Sequence, residues 1–384
     1  MENYTVAMKT FCQRIGKADD PVAFIKNQLS RGAITKEQLL RIFADDHNLV
    51  DYMHVGQCVD DGLFTVDELA ATGIDETFVS MLWDRQQDVL PDVGRIKMED
   101  IPVGTREVYF WGIPTSGKTC AIGTVIRAAR MTTVTECMRV ERCQGKLYYQ
   151  KLKQIFDRKD TDYIILPGRT PVDTNFAIKT ILVDHQQKEH PVTIVDMAGE
   201  LFCSLVWREN GSENLVTDKH LTAQKEFEEI LCNNRDCNPK THFFILEYSK
   251  NERRDDQDEF SQDTYLEEGL QYLIDNGVLE KSTDEAYVII TKTDLAWNDV
   301  PEGMDVNLYL IDFLNKRYPN FFALLKRQCE DKGICGGQLP KPIPFDIGEV
   351  CFQHLCRVNV ERANRIVEIL IAPHEGRKAW WNIF

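Results

Sequence analysis

Two kinds of hydrophobic spacing divide this chain. Before about residue 100, apolar residues recur at helical intervals, and Val22–Leu29 and Leu49–Val59 read as short helices. Each precedes a glycine that opens a related segment. Gly32-Ala-Ile-Thr-Lys-Glu-Gln-Leu39 resembles Gly62-Leu-Phe-Thr-Val-Asp-Glu-Leu69, thirty residues further on. Thr35 with Gln38, and Thr65 with Glu68, fit the T-x-x-[EQ] capping box. In that device a hydroxyl and a long side chain satisfy each other's orphan backbone donors at a helix start. Gly94–Ile101 is a poorer third copy. Residues 1–100 are therefore expected to form a small all-α domain of helix pairs. The Asp-rich segments lack the D-x-[DN]-x-[DN]-G frame, which excludes an EF-hand.

From Glu107 the pattern changes to short β-rich runs alternating with amphipathic stretches. Strands are expected at Glu107–Trp111, Phe176–Asp184, Pro191–Val195, His242–Tyr248, Ala286–Ile290 and Pro342–Phe345. Helices are expected at Thr119–Ala129, Thr217–Cys232, Phe260–Asp275 and Val360–Ile371, and over Asp305–Lys332 with a break at Pro319. The alternation predicts an α/β domain, 101–373, of three layers around a mostly parallel sheet. The polar turn Gln186-Gln187-Lys188 joins two strands as a hairpin, which would add one antiparallel edge strand. Residues 251–259 form a charged, solvated loop, and 374–384 a short basic and aromatic tail.

Composition narrows the partners. The chain has 384 residues, 43% of them hydrophobic, and a net charge of −16. Residues 1–100 carry ten basic and eighteen acidic side chains. No nucleic-acid partner is expected, because such binders need a basic face. No apolar run approaches the roughly 18 residues of a membrane span, so no stable membrane insertion is expected. The twelve cysteines show no C-x2-C pair. They read as reduced thiols, and the expected location is cytoplasmic.

Three segments carry chemistry. Gly112-Ile113-Pro114-Thr115-Ser116-Gly117-Lys118-Thr119 fits G-x-x-x-x-G-K-[ST] between a strand and a helix. Such a loop turns successive N–H groups, here those of Gly112, Pro114 to Thr119 and Cys120 less the proline, toward an anion at a helix N-terminus. Lys118 is placed to reach the β- and γ-phosphates, and the Thr119 hydroxyl to ligate Mg2+. The loop alone leaves ATP and GTP open. Asp196-Met-Ala-Gly199 follows the hydrophobic run Val192–Val195. Asp196 is placed to hold Mg2+ or its bound water, and Gly199 leaves an N–H free beside a γ-phosphate. Thr291-Lys292-Thr293-Asp294 ends the strand Tyr287–Ile290. Asp294 can accept two hydrogen bonds from guanine; adenine would leave that carboxylate unpaired. The Lys292 stem can lie across the base.

Together these segments resemble the translation-factor-related class of P-loop GTPases, the superfamily that includes Ras-like proteins. The resemblance covers 107 to about 372, and the overall layout is similar to bacterial multidomain GTPases with an N-terminal helical adaptor. It implies a six-stranded sheet, GTP or GDP with Mg2+ at the strands' C-terminal ends, and two segments that order around the γ-phosphate. Lys118 and Asp196 lie 78 residues apart and Asp196 and Asp294 lie 98 apart, which implies insertions in the first switch and after the fourth strand. Thr291 stands where Asn is more usual, and Thr can still tie this loop to the P-loop. Glu200 stands where a water-orienting Gln is common, and is a candidate catalytic residue. Thr170 and Thr174 both could ligate Mg2+ and sense the γ-phosphate. Thr170 is favoured because Pro171 would hold it extended. Arg169 is a candidate internal arginine finger, with Arg253 and Arg254 a second pair. The loop Phe345-Asp346-Ile347-Gly348 would offer guanine O6 a backbone N–H, placed at Ile347.

The expected activity is slow, Mg2+-dependent GTP hydrolysis that switches protein–protein contacts made through the N-terminal domain and the switch segments. A homodimer is compatible with the sequence. The alternatives are a nucleotide-bound scaffold with little hydrolysis, which Glu200 keeps open, and a P-loop ATPase.

Overall fold

The computed structural model describes residues 11, 14–15, 18, 20–45, 52–74, 79–80, 82, 101–143, 145–157, 163–167, 175–209, 215–233, 238–248, 260–297, 299–351 and 355–372. In chain order these begin with helices α1 (Pro21–Ser30), α2 (Lys36–Asp45), α3 (Tyr52–Asp60) and α4 (Val66–Ala70). Strand β1 (Arg106–Trp111), α5 (Lys118–Arg130), β2 (Thr135–Val140), α6 (Lys146–Phe156) and β3 (Tyr163–Ile165) follow. Then come β4 (Asn175–Asp184), β5 (Glu189–Met197), α7 (Gly199–Glu209), α8 (Asp218–Asn233) and β6 (Lys240–Glu247). The remainder is α9 (Gln262–Asp275), β7 (Glu285–Thr291), α10 (Val306–Arg317), α11 (Pro319–Lys332), β8 (Ile343–Phe345), β9 (Gly348–Cys351), β10 (Leu355–Val358) and α12 (Glu361–Ile371). No helix among the described residues is long and apolar enough to cross a membrane.

The chain divides into two compact units. The first comprises 1–88, 159–166 and 348–358, and the second the rest. In the first unit both capping boxes form. Thr35 Oγ1 accepts from the Gln38 N–H while Gln38 Oε1 accepts from the Thr35 N–H. Thr65 and Glu68 exchange the same pair of bonds. The turns that lead into them also match: Gly32 and Gly62 donate to Leu29 O and Val59 O, and Ala33 and Leu63 to Gln28 O and Cys58 O. Ile25, Leu39, Ile42, Phe43, Val55, Phe64 and Leu69 are buried in its core. The third copy at Gly94 lies outside the described residues, apart from Ile101.

The described elements within 1–88 are all helices, but the unit draws further segments from elsewhere in the chain. It includes an antiparallel sheet of order β3-β10-β9, contributed by 163–165 and 348–358. Tyr163 and Ile165 pack against the helical core. Short helices alone leave apolar surface uncovered in so small a unit, and strands drawn from far along the chain cover it.

The second unit is α/β with a seven-stranded sheet of order β2-β4-β5-β1-β6-β7-β8, one strand more than expected. Only β4 runs antiparallel to its neighbours. It is not the edge, because β2 pairs along it. The central strands β1, β6 and β7 are buried along their whole length, as a parallel sheet with both faces covered requires. Phe110, Phe243 and Tyr287 stack in a row across three strands, with ring centroids 5.1 and 5.4 Å apart. One face packs against α7 to α11 through a continuous apolar cluster from Tyr109 and Trp111 to Phe321 and Leu325. Helix α5 packs with α6 and α12. The expected break in 305–332 is at Tyr318, the last residue before Pro319 starts α11. Proline has no N–H to donate and fits a first turn.

Candidate functional site

Strands β1, β5, β6, β7 and β8 are parallel, so their C-terminal ends share one edge of the sheet. Their register aligns Tyr109 with Val195, Trp111 with Phe244, Glu247 with Thr291, and Thr291 with Phe345. The chain fills the left half of the sheet before crossing β1 to build the right half. Its loops therefore diverge at β1, the topological switch point where open α/β sheets place ligands.

The glycine-rich loop leaves β1 at this point. Gly112 sits at φ 150° and a Cβ there would lie 2.5 Å from Ile245 O, so no other residue fits so close to β6. Gly117 and Thr115 are also in the left-handed region, at φ 92° and 60°. Ser116 is buried, and its Oγ has no hydrogen-bond partner. Pro114, Thr119 and Cys120 are half-buried. Lys118 opens α5 and is buried, with Nζ donating to Gly112 O at 2.7 Å and Ile113 O at 2.8 Å. The ammonium thus donates to two neutral carbonyls, which a phosphate could replace with stronger charge-assisted bonds.

Asp196, near the end of β5, is fully buried. The Tyr148 hydroxyl, from α6, donates to its Oδ2. Its Oδ1 makes no hydrogen bond of ordinary geometry. Burial pushes the Asp196 carboxyl up to about 6, against the opposing effects of Tyr148, Lys118, the Met197 N–H and the Thr119 hydroxyl, which favour the charged form. Burial likewise holds the Tyr148 phenol well above its usual value, so it stays a donor. A carboxylate and a hydroxyl placed together, with an orphaned buried oxygen, fit Mg2+. That ion takes one or two protein ligands and completes its shell with phosphates and water. Among the described residues no group of three or more His, Cys, Asp and Glu side chains could hold a metal by themselves.

Gly199 brings the start of α7 against the loop. A Cβ there would lie 2.4 Å from Pro114 N and 2.6 Å from Lys118 Nζ. Glu200 is half-buried in the first turn of α7, and its charge acts on His220 of α8. Desolvation still leaves His220 below its ordinary value.

The loop after β7 is joined to the first. Thr291 Oγ1 lies 2.8 Å from Ser116 O and 3.1 Å from Leu246 O. Lys292 takes a left-handed conformation, with Nζ 2.6 Å from Oε1 of the buried Glu247. Asp294 is exposed, yet enough protein surrounds its carboxyl for desolvation to raise its pKa. Asp346 adds to that effect and Lys292 opposes it. Asp346 is therefore within electrostatic reach of Asp294. Asp346 itself pairs with Arg362, which lies over the Trp297 ring. Ile347 is half-buried and its carbonyl accepts from the Asn359 N–H.

Arg169, Thr170 and Thr174 lie outside the described residues, as do Arg253, Arg254 and the tail. Sequence reasoning missed Tyr148 and Glu247. Tyr148 had a signal, because Tyr148, Leu152 and Ile155 repeat at helical spacing in α6. Glu247 had none beyond its place at the end of a buried strand. In comparisons with known proteins, no family model matches the chain and no curated protein matches it.

Proposed function

We propose that this chain is a GTP-binding protein resembling the translation-factor-related P-loop GTPases, binding GTP or GDP with Mg2+ and hydrolysing GTP slowly. The observation that carries this reading is the meeting of the three motif loops at one sheet edge, with Thr291 hydrogen-bonded to Ser116 of the glycine-rich loop. That bond fixes the distance between a phosphate cradle and Asp294, the group that would read the base.

Each residue has a role in this reading. The loop amides from Thr115 to Cys120 hold phosphate oxygens, and Lys118 moves from Gly112 O and Ile113 O to the β- and γ-phosphates. Thr119 and Asp196 hold Mg2+, directly or through water, together with Thr170. When bound, Mg2+ neutralises charge on the phosphates. Asp294 accepts from the guanine ring N–H and exocyclic amino group, Lys292 covers the base, and the Ile347 N–H faces O6. Gly199 and Thr170 sense the γ-phosphate. Glu200 orients the attacking water, and Arg169 stabilises the charge that develops on the leaving phosphate. Nucleotide state then governs contacts with protein partners in the cytoplasm, through the first unit and the switch segments. Glu200 also favours a second reading, a scaffold that binds nucleotide and barely turns it over, since a carboxylate near the γ-phosphate repels it.

The test is identification of the nucleotide that copurifies with the chain. GTP or GDP is expected in the wild type and is lost in Lys118→Ala and Asp294→Ala. Adenine nucleotide, or none, refutes the reading.

A further inference from the structure

Tyr148 stands beside Asp196 by construction. Phe176 on β4 is the cross-strand partner of Asp196 on β5, and directly opposed residues in an antiparallel pair share one face of the sheet. The Tyr148 ring stacks on Phe176, with centroids 3.8 Å apart and planes 8° from parallel. A ring seated on Phe176 delivers its hydroxyl to the adjacent carboxylate, and the hydroxyl donates to Asp196 Oδ2. Both residues are fully buried, and Asp196 Oδ1 makes no hydrogen bond of ordinary geometry. One oxygen of the carboxylate is therefore tied by the phenol, and the other, with the Met197 N–H and the Thr119 hydroxyl nearby, is the one open to a ligand. A phenol suits this task, because a neutral donor fixes the carboxylate's orientation without cancelling its charge. A lysine in the same place would compete with the cation.

We propose that Tyr148 is a positioning residue for a divalent cation: it locks Asp196 so that Oδ1 serves Mg2+ or its bound water beside Thr119. The proposal rests on the nucleotide-binding reading above. Partners that orient a metal ligand typically contribute 10–100-fold to metal affinity.

The test uses the full chain with Tyr148→Phe, which keeps the ring on Phe176 and removes only the hydroxyl. Release of a fluorescent GDP analogue is measured against free Mg2+, and again in EDTA. The half-saturating Mg2+ concentration is expected to rise about 10–100-fold, with release in EDTA as in the wild type. A double-mutant cycle guards against a general structural effect: in an Asp196→Asn background, Tyr148→Phe should add no further rise. An unchanged Mg2+ dependence, equal acceleration with and without Mg2+, or full additivity with Asp196→Asn overturns the proposal. Failure of the wild type to retain the GDP analogue refutes the nucleotide reading itself. Retention that does not depend on Mg2+ leaves that reading standing and overturns the role of Tyr148.

Discussion

Adding one methyl group at Gly199 tests how closely the second motif is fitted to the glycine-rich loop. In Gly199→Ala the new Cβ would meet Pro114 N at 2.4 Å, Ile113 C at 2.5 Å and Lys118 Nζ at 2.6 Å. The lysine tip can swing away, but the other two atoms are backbone of the loop and cannot. Carbon contacts are optimal at about 3.5–4.0 Å, so the start of α7 and the loop must separate by about 1 Å. Overpacking of this kind costs about 1–3 kcal/mol. Each kcal/mol lowers the melting temperature by about 2–4 °C in a unit of this size. Nucleotide-free Gly199→Ala should therefore melt measurably below the wild type. Lys118 and the loop amides are the displaced groups, so affinity for GTP should fall at least about tenfold, which corresponds to roughly 1.4 kcal/mol. Thermal melting and equilibrium nucleotide titration read the two effects separately. Wild-type melting together with wild-type affinity would refute the claim that these segments are in contact.

Two further outcomes follow from buried polar groups. Thr291→Val leaves Ser116 O and Leu246 O without the hydroxyl that now serves them. It should lower stability in urea unfolding by about 1–3 kcal/mol, whereas Thr291→Ser should retain most of it; equal losses would contradict the assignment. His242 accepts from Trp111 Nε1 through Nδ1, and burial, with Lys240 adding to it, pulls its pKa down to about 3. The unfolded chain binds that proton near pH 6.5, so the stability from neutral His242 is present above about 6.5 and is lost as pH falls toward 3. Between pH 7.5 and 5.0 the loss is about 2 kcal/mol, and His242→Gln should show an acid-induced loss smaller by that amount. An identical loss in both proteins would show that His242 does not govern it.

What could be read from the sequence depended on how local each signal was. Trp111, Val195 and Ile290 end largely apolar runs, and the motif residues that follow them lie at strand C-termini, so a strand-then-loop reading located all three loops. The edge strand Thr135–Val140 escaped notice because most of its residues face solvent and resemble a loop. Its presence made β4 an interior strand. The β3-β10-β9 sheet pairs Ile165 with Leu355 and Tyr163 with Arg357. No local pattern encodes a pairing across that separation, so nothing in the sequence joined 163–165 and 348–358 to the helical segment. The capping boxes, by contrast, depend on side chains three residues apart, and both were legible.

The most direct test of the central claim is equilibrium competition between GTP and ATP for the full chain in Mg2+, repeated with Asp294→Ala. Excess ATP should fail to displace GTP from the wild type, Asp294→Ala should lose this preference, and Lys118→Ala should lose both ligands. Displacement of GTP by comparable ATP, or a guanine preference that survives the loss of Asp294, would contradict it.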